Sequence, residues 1–75
     1  MDSEEFVFTD LSSSSWVDSC EYSESQKILR VHLQSKDSYE YYNVSETTYA
    51  EFISADSHGT YLNRYIKPYH KFDAI

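Results

Sequence analysis

The chain has 75 residues and a formal net charge of −7. A single domain of that size hides only about 60% of its unfolded surface, and one cysteine, Cys20, excludes an internal disulfide as reinforcement. No run reaches the roughly 18 apolar residues of a membrane span, which excludes an integral helical membrane protein. Eight Tyr, four Phe and one Trp are the main source of burial. So much aromatic surface on so short a chain predicts a homo-oligomer. The acidic start, Met1-Asp2-Ser3-Glu4-Glu5, lacks the basic and apolar regions of a signal peptide, and with the lone thiol it predicts a cytoplasmic protein.

Charge divides the chain. Residues 1–25 carry seven acids and no base, whereas residues 26–75 carry six of each. The first division is an acidic arm, 1–13, in which Phe6, Val7 and Phe8 offer an extra N-terminal strand, while its acids and serines equally suit a disordered tail. The domain proper is 14–75. Within it, 16–22 reads as a half-buried strand with Trp16, Cys20 and Tyr22 on one face, although Asp18 breaks the pattern. Ile28 to Gln34 alternates cleanly, Leu29, Val31 and Leu33 inward and Arg30, His32 and Gln34 outward. Ser35-Lys36-Asp37 turns the chain without glycine, and Asp37 is the residue expected at positive φ. Residues 38–42 place Tyr39 and Tyr41 on one face and Glu40 and Tyr42 on the other.

Two helices follow. Ser45 caps the first, near 45–55, and Tyr49, Phe52 and Ile53 form its apolar stripe. Ser57 caps the second, near 57–67, with Gly59 easing its entry and Tyr61, Leu62, Tyr65 and Ile66 at helical spacing. Pro68 stops it and should push Lys67 out of the α region. Residues 69–75 trail off, with Phe72 free to pack on the sheet. The expected fold is α+β: a three-stranded antiparallel meander, then two short helices packed on one face. The expected core is Leu29, Val31, Leu33, Tyr39, Tyr41, Phe52, Ile53, Leu62 and Ile66.

Chemistry-bearing residues are few. His32, His58, His70 and Cys20 have no metal-ligand spacing, so no metal or other cofactor is expected. Nothing pairs a nucleophile with a base, and no catalytic residue is expected. One constellation stands out. Tyr61, Tyr65 and Tyr69 alternate with Arg64, Lys67 and Lys71, aromatic faces for bases beside cations for phosphates. Against that, Tyr61 reads more simply as core, and the cations equally well as a solvated face. Asn63, polar in mid-helix, is a better site candidate than Ser57, which a cap explains. The candidate ligand-binding residues are Asn63, Arg64, Lys67, Tyr65, Tyr69 and Tyr42.

Tyr22, Leu29, Val31, Tyr39, Tyr41, Val44, Tyr49, Ala55, Ser57, Gly59, Asn63, Ile66 and Tyr69 together resemble the KTSC domain. The specific part is Ala-x-Ser-x-Gly followed by Asn-x-x-Ile-x-x-x-Tyr. Units of this family end some lysyl-tRNA synthetases and also occur alone in bacterial and phage proteins. The family has no established activity, and the resemblance carries RNA binding only as a suggestion. Glu40 departs from it, standing where a basic residue is common in the central Tyr-x-Tyr.

Two functions from different classes follow. The first is a non-catalytic module for single-stranded RNA or a small, including cyclic, nucleotide. The second is an acidic interaction module that docks on a basic protein partner, such as a phage-encoded anti-defence inhibitor of a host factor.

Overall fold

A computed structural model describes residues 6–75; the first five residues of the expected arm lie outside the described residues. Five antiparallel strands lie in chain order: β1 Phe6–Asp10, β2 Val17–Ser23, β3 Ile28–Leu33, β4 Ser38–Tyr41 and β5 Phe72–Ala74. The meander expected from the sequence is thus widened at both edges. Phe6, Val7 and Phe8 do form a strand, and the C-terminal residues, expected to trail off, form another. Two helices separate β4 from β5: α1, Glu46–Ser54, and α2, His58–Tyr61, which widens into a π-helical turn over Leu62–Ile66.

Strand register sorts the side chains by face. One row runs Val7, Tyr22, Leu29, Tyr41, Phe72 and the next Thr9, Cys20, Val31, Tyr39, Ala74. These rows face the helices, and Phe52, Leu62 and Ile66 cover them, each at most 2% exposed. Burying each large apolar side chain contributes about 1.5–3 kcal/mol. Val17, Cys20, Tyr22, Val44 and Leu11 extend the core, while Leu33, Tyr39 and Ile53, expected inside it, are only partly buried. Leu11 ties the expected arm into the domain.

The opposite face is polar. Phe8, Glu21, Arg30, Glu40 and Asp73 form one row across it. Arg30 Nε lies 2.6 Å from Glu40 Oε2, and its guanidinium sits 3.9 Å above the Phe6 ring. These pairs are partly solvated and contribute little to stability.

Local chemistry sets the element ends. The Ser45 hydroxyl accepts from the Thr48 N–H at 3.2 Å, and that of Ser57 from the Thr60 N–H at 3.3 Å, so both expected caps form. Other expectations need correction. Trp16 reaches the helix-facing side from the corner before β2 and not as part of the strand with Cys20 and Tyr22. A bulge between Val17 and Ser19 removes Asp18 from the register, so Val17 takes the inward position. In the β3–β4 turn, Lys36 and not Asp37 has positive φ, 81°. The Lys36 N–H donates back to the Leu33 carbonyl at 2.9 Å, which places the left-handed residue one position earlier. Lys67 keeps α-region angles (φ −56°, ψ −44°) although Pro68 follows. Its N–H reaches the Leu62 carbonyl at 2.8 Å, and this wider turn makes room for the proline ring.

Candidate functional site

Three pieces of chain enclose a cavity of about 130 Å³: the corner before β2, the β4–β5 end of the sheet and the π turn. Its walls are Trp16, Leu33, Tyr39, Tyr41, Leu62 and Phe72, with Asn63 and Lys67 completing the lining.

The corner is pinned by polar contacts. The Ser14 hydroxyl accepts from the N–H groups of Trp16 (3.2 Å) and Val17 (3.1 Å). The Gln34 N–H donates to the Trp16 carbonyl at 2.8 Å, and the Gln34 side chain to the Ser14 carbonyl at 3.1 Å. Trp16 therefore leans over the cavity instead of entering the sheet. Its indole packs against Gly59, where a Cβ would collide with the ring. Gly59 has no positive φ, so its smallness matters here and not its conformational freedom. The sequence reading, in which Gly59 eased helix entry, missed that close approach.

The sheet supplies the other aromatic walls. Phe72 of β5 meets Tyr39 edge-on, ring centroids 5.9 Å apart, and tilts over Tyr41 at 5.3 Å. Burial pushes the Tyr41 hydroxyl above its ordinary pKa, with the Tyr39 phenol adding to the effect, so it stays protonated. On the helical side, the π turn carries both Asn63 and Lys67 to the lining. π turns recur at functional sites. Asn63 makes no side-chain hydrogen bond among the described residues, leaving a donor and an acceptor free.

The six sequence candidates separate. Asn63 and Lys67 come together on the cavity. Arg64 and Tyr65 do not line it: Tyr65 packs on Tyr61, centroids 4.9 Å apart, and is 53% exposed. Tyr61 is an anchor. Its hydroxyl donates to Glu51 at 2.7 Å, and burial together with that carboxylate pushes its pKa up to about 12. Tyr69 projects into solvent, 75% exposed. Tyr42 belongs to the opposite face of the sheet. Its hydroxyl lies 2.9 Å from Asp73 and 3.1 Å from Glu40, and those carboxylates push it up to about 12.

Trp16, Leu33, Tyr39, Tyr41, Leu62 and Phe72 were absent from the sequence-derived site. Aromatic alternation marks a strand face but not which part of that face stays uncovered.

Other reactive groups lie off the cavity lining, and His32 has two partners, its Nε2 standing 3.6 Å from Glu21 Oε1. Cys20 is buried, and desolvation pushes its thiol up to about 12, so it is held protonated. His32 Nδ1 pairs with the Ser38 hydroxyl at 2.7 Å, His58 Nδ1 with the Phe52 carbonyl at 2.9 Å, and His70 Nδ1 with the Tyr42 carbonyl at 2.9 Å. Among the described residues no group of three metal-ligating side chains converges. No described helix is long and apolar enough to cross a membrane.

The family model of the KTSC domain matches residues 13–72. No curated protein matches the chain. Among solved structures, the crystal structure of a KTSC domain protein from Yersinia pestis is similar at a TM-score of 0.86 and 26% identity, covering 93% of this chain and 97% of that one. That coverage exceeds the span of the family match and so reaches into the N-terminal strand region. With the family match over most of its length and this fold, the chain belongs to the KTSC domain family.

Proposed function

We propose that this domain is a non-catalytic nucleotide-binding module whose cavity takes one base of a single-stranded RNA or of a small nucleotide. The observation that carries the reading is the make-up of that cavity: aromatic and apolar walls, with one amide and one ammonium on its lining. Its volume of about 130 Å³ is small, which favours a single flat ring as the inserted group. Base–aromatic stacking contributes about 1–3 kcal/mol per base. The Asn63 amide offers a donor and an acceptor to a base edge. The Lys67 ammonium is available to a phosphate outside the mouth. Sugar and phosphate then remain in solvent.

Trp16 is the only tryptophan and lines the cavity, so its fluorescence reports occupancy directly. The test is titration of the protein with mononucleotides, cyclic nucleotides and short single-stranded RNA. Saturable quenching of Trp16 is expected, weakened at least tenfold by Lys67→Ala with an unchanged melting temperature. No quenching by any of these ligands, or quenching indifferent to both Asn63→Ala and Lys67→Ala, sinks the reading.

A further inference from the structure

A second concave surface lies along the opposite part of the molecule, where β1 meets α1. It is an open groove of about 990 Å³ lined by Phe6, Val7, Tyr22, Tyr49 and Ala50, with Glu24, Ser25, Lys27 and Glu46 at its polar side. Tyr22 and Tyr49 stack in its floor, centroids 4.3 Å apart and 7° from parallel. The Tyr49 hydroxyl joins Thr9 of β1 at 3.1 Å. Beside this groove β1 is an edge strand, paired among the described residues with β2 alone.

Among the described residues, Asp10 is the one charge on that edge. Phe6-Val7-Phe8-Thr9-Asp10 holds no proline, lysine or bulge, and Val7 and Phe8 are each 62% exposed. At the Phe6 end of the groove Glu24 and Glu46 lie side by side on the lining, and the Glu46 carboxyl raises the Glu24 pKa above the ordinary carboxyl value. Two carboxylates in contact, faced by the single ammonium of Lys27, leave that end net negative. A second copy of the chain is a poor occupant, because residues 1–25 would bring seven acids and no base to the same edge.

We propose that β1 and this groove receive an extended, basic peptide segment of a partner protein, which adds a sixth strand to the sheet and places a lysine or arginine between Glu24 and Glu46. In strand addition, main-chain hydrogen bonds to the open edge supply affinity, and alternate side chains supply specificity. Here one set of alternate side chains covers Val7 and the Tyr22–Tyr49 stack, and a cation at the Phe6 end pairs with the two carboxylates. The surface is separate from the aromatic cavity and stands whether or not that cavity binds nucleotides.

The experiment is selection of a random decapeptide display library on the full chain, followed by synthesis of the enriched sequence. The expected winner alternates β-branched or aromatic residues and carries lysine or arginine. Its affinity should fall at least tenfold when alternate backbone amides are N-methylated, and at least fivefold in the E24Q/E46Q double variant. Both carboxylates are exposed, so that variant should stay folded, with a melting temperature no lower than the wild type's. The proposal is overturned by any of four results: no enrichment, acidic winners, winners indifferent to both changes, or a β1 edge already taken by a second copy, read as a dimer in sedimentation that Val7→Lys dissociates.

Discussion

The cavity beside α2 holds about 130 Å³ within aromatic walls, and its charged group is the Lys67 ammonium. The groove beside β1 holds about 990 Å³ over a shallow tyrosine floor, and its rim carries two carboxylates. Both are built from the same sheet face and from adjacent helices. They differ because of what closes each one. Trp16 and Phe72 fold over the first, whereas no element among the described residues covers the outer side of β1. Enclosure suits a flat ring that gains from stacking and desolvation, and an open edge suits an extended chain that gains from main-chain pairing. On the two proposed readings, the sign of the rim favours an anion on one side and a cation on the other.

The comparison can be broken most severely at Phe52. Its ring is fully buried and touches both His58 and Tyr61, so it joins the helix of the groove to the helix of the cavity. Phe52→Ala should cost about 3–5 kcal/mol of folding stability in chemical denaturation and damage both surfaces together. A loss below about 1 kcal/mol would mean that the two helices are held independently.

Lys67→Ala separates the surfaces. A charge-assisted hydrogen bond contributes about 1.5–3 kcal/mol, so nucleotide affinity should fall more than tenfold while peptide affinity at β1 stays unchanged. Arg64→Ala, one turn position away and off the lining, should change nucleotide affinity less than about threefold. Reversal of that order would move the site to the Arg64–Tyr65 side of the π turn.

The sequence made much of this fold readable. Leu29, Val31 and Leu33 alternate strictly, and Ser45 and Ser57 announce two caps that both form. The site was less readable, because its walls depend on events that local patterns do not carry. The bulge at Asp18 releases Trp16 from the strand, and β5 exists only because the chain returns beside β4 after both helices. Asn63 was legible as a polar residue without a structural task, and Lys67 as a cation near it. Tyr42, read from the same alternation as Glu40, points to the carboxylates of the opposite face.

Gly59→Ala sharpens the contrast from the other side. The added methyl collides with the Trp16 ring, an overpacking that costs about 1–3 kcal/mol, partly offset by up to about 1 kcal/mol of helix propensity. The indole should swing outward, shifting its emission to the red and abolishing nucleotide quenching, with peptide binding at β1 retained. An unshifted emission spectrum would show that Trp16 does not depend on Gly59 for its place.

The smallest effect belongs to Glu24→Gln. Contact with Glu46 raises the folded-state pKa of Glu24 above its unfolded value, so the favourable protonated form is fully present at low pH and lost as pH rises through that value. Above it, two negative carboxylates remain in contact. Glu24→Gln should therefore raise the melting temperature slightly at pH 7 and leave it unchanged at pH 3. A decrease at pH 7 would mean that Glu24 is held by a favourable partner instead.

Amide and indole N–H chemical shifts of isotope-labelled protein, followed during titration with short single-stranded RNA and separately with the selected basic peptide, test the division into two surfaces. RNA should move the Trp16 indole, Asn63, Lys67 and Phe72, and the peptide should move Phe6 to Asp10, Glu24, Glu46 and Tyr49, with neither set crossing over. Overlapping sets, or an RNA response confined to β1 and α1, would contradict the account.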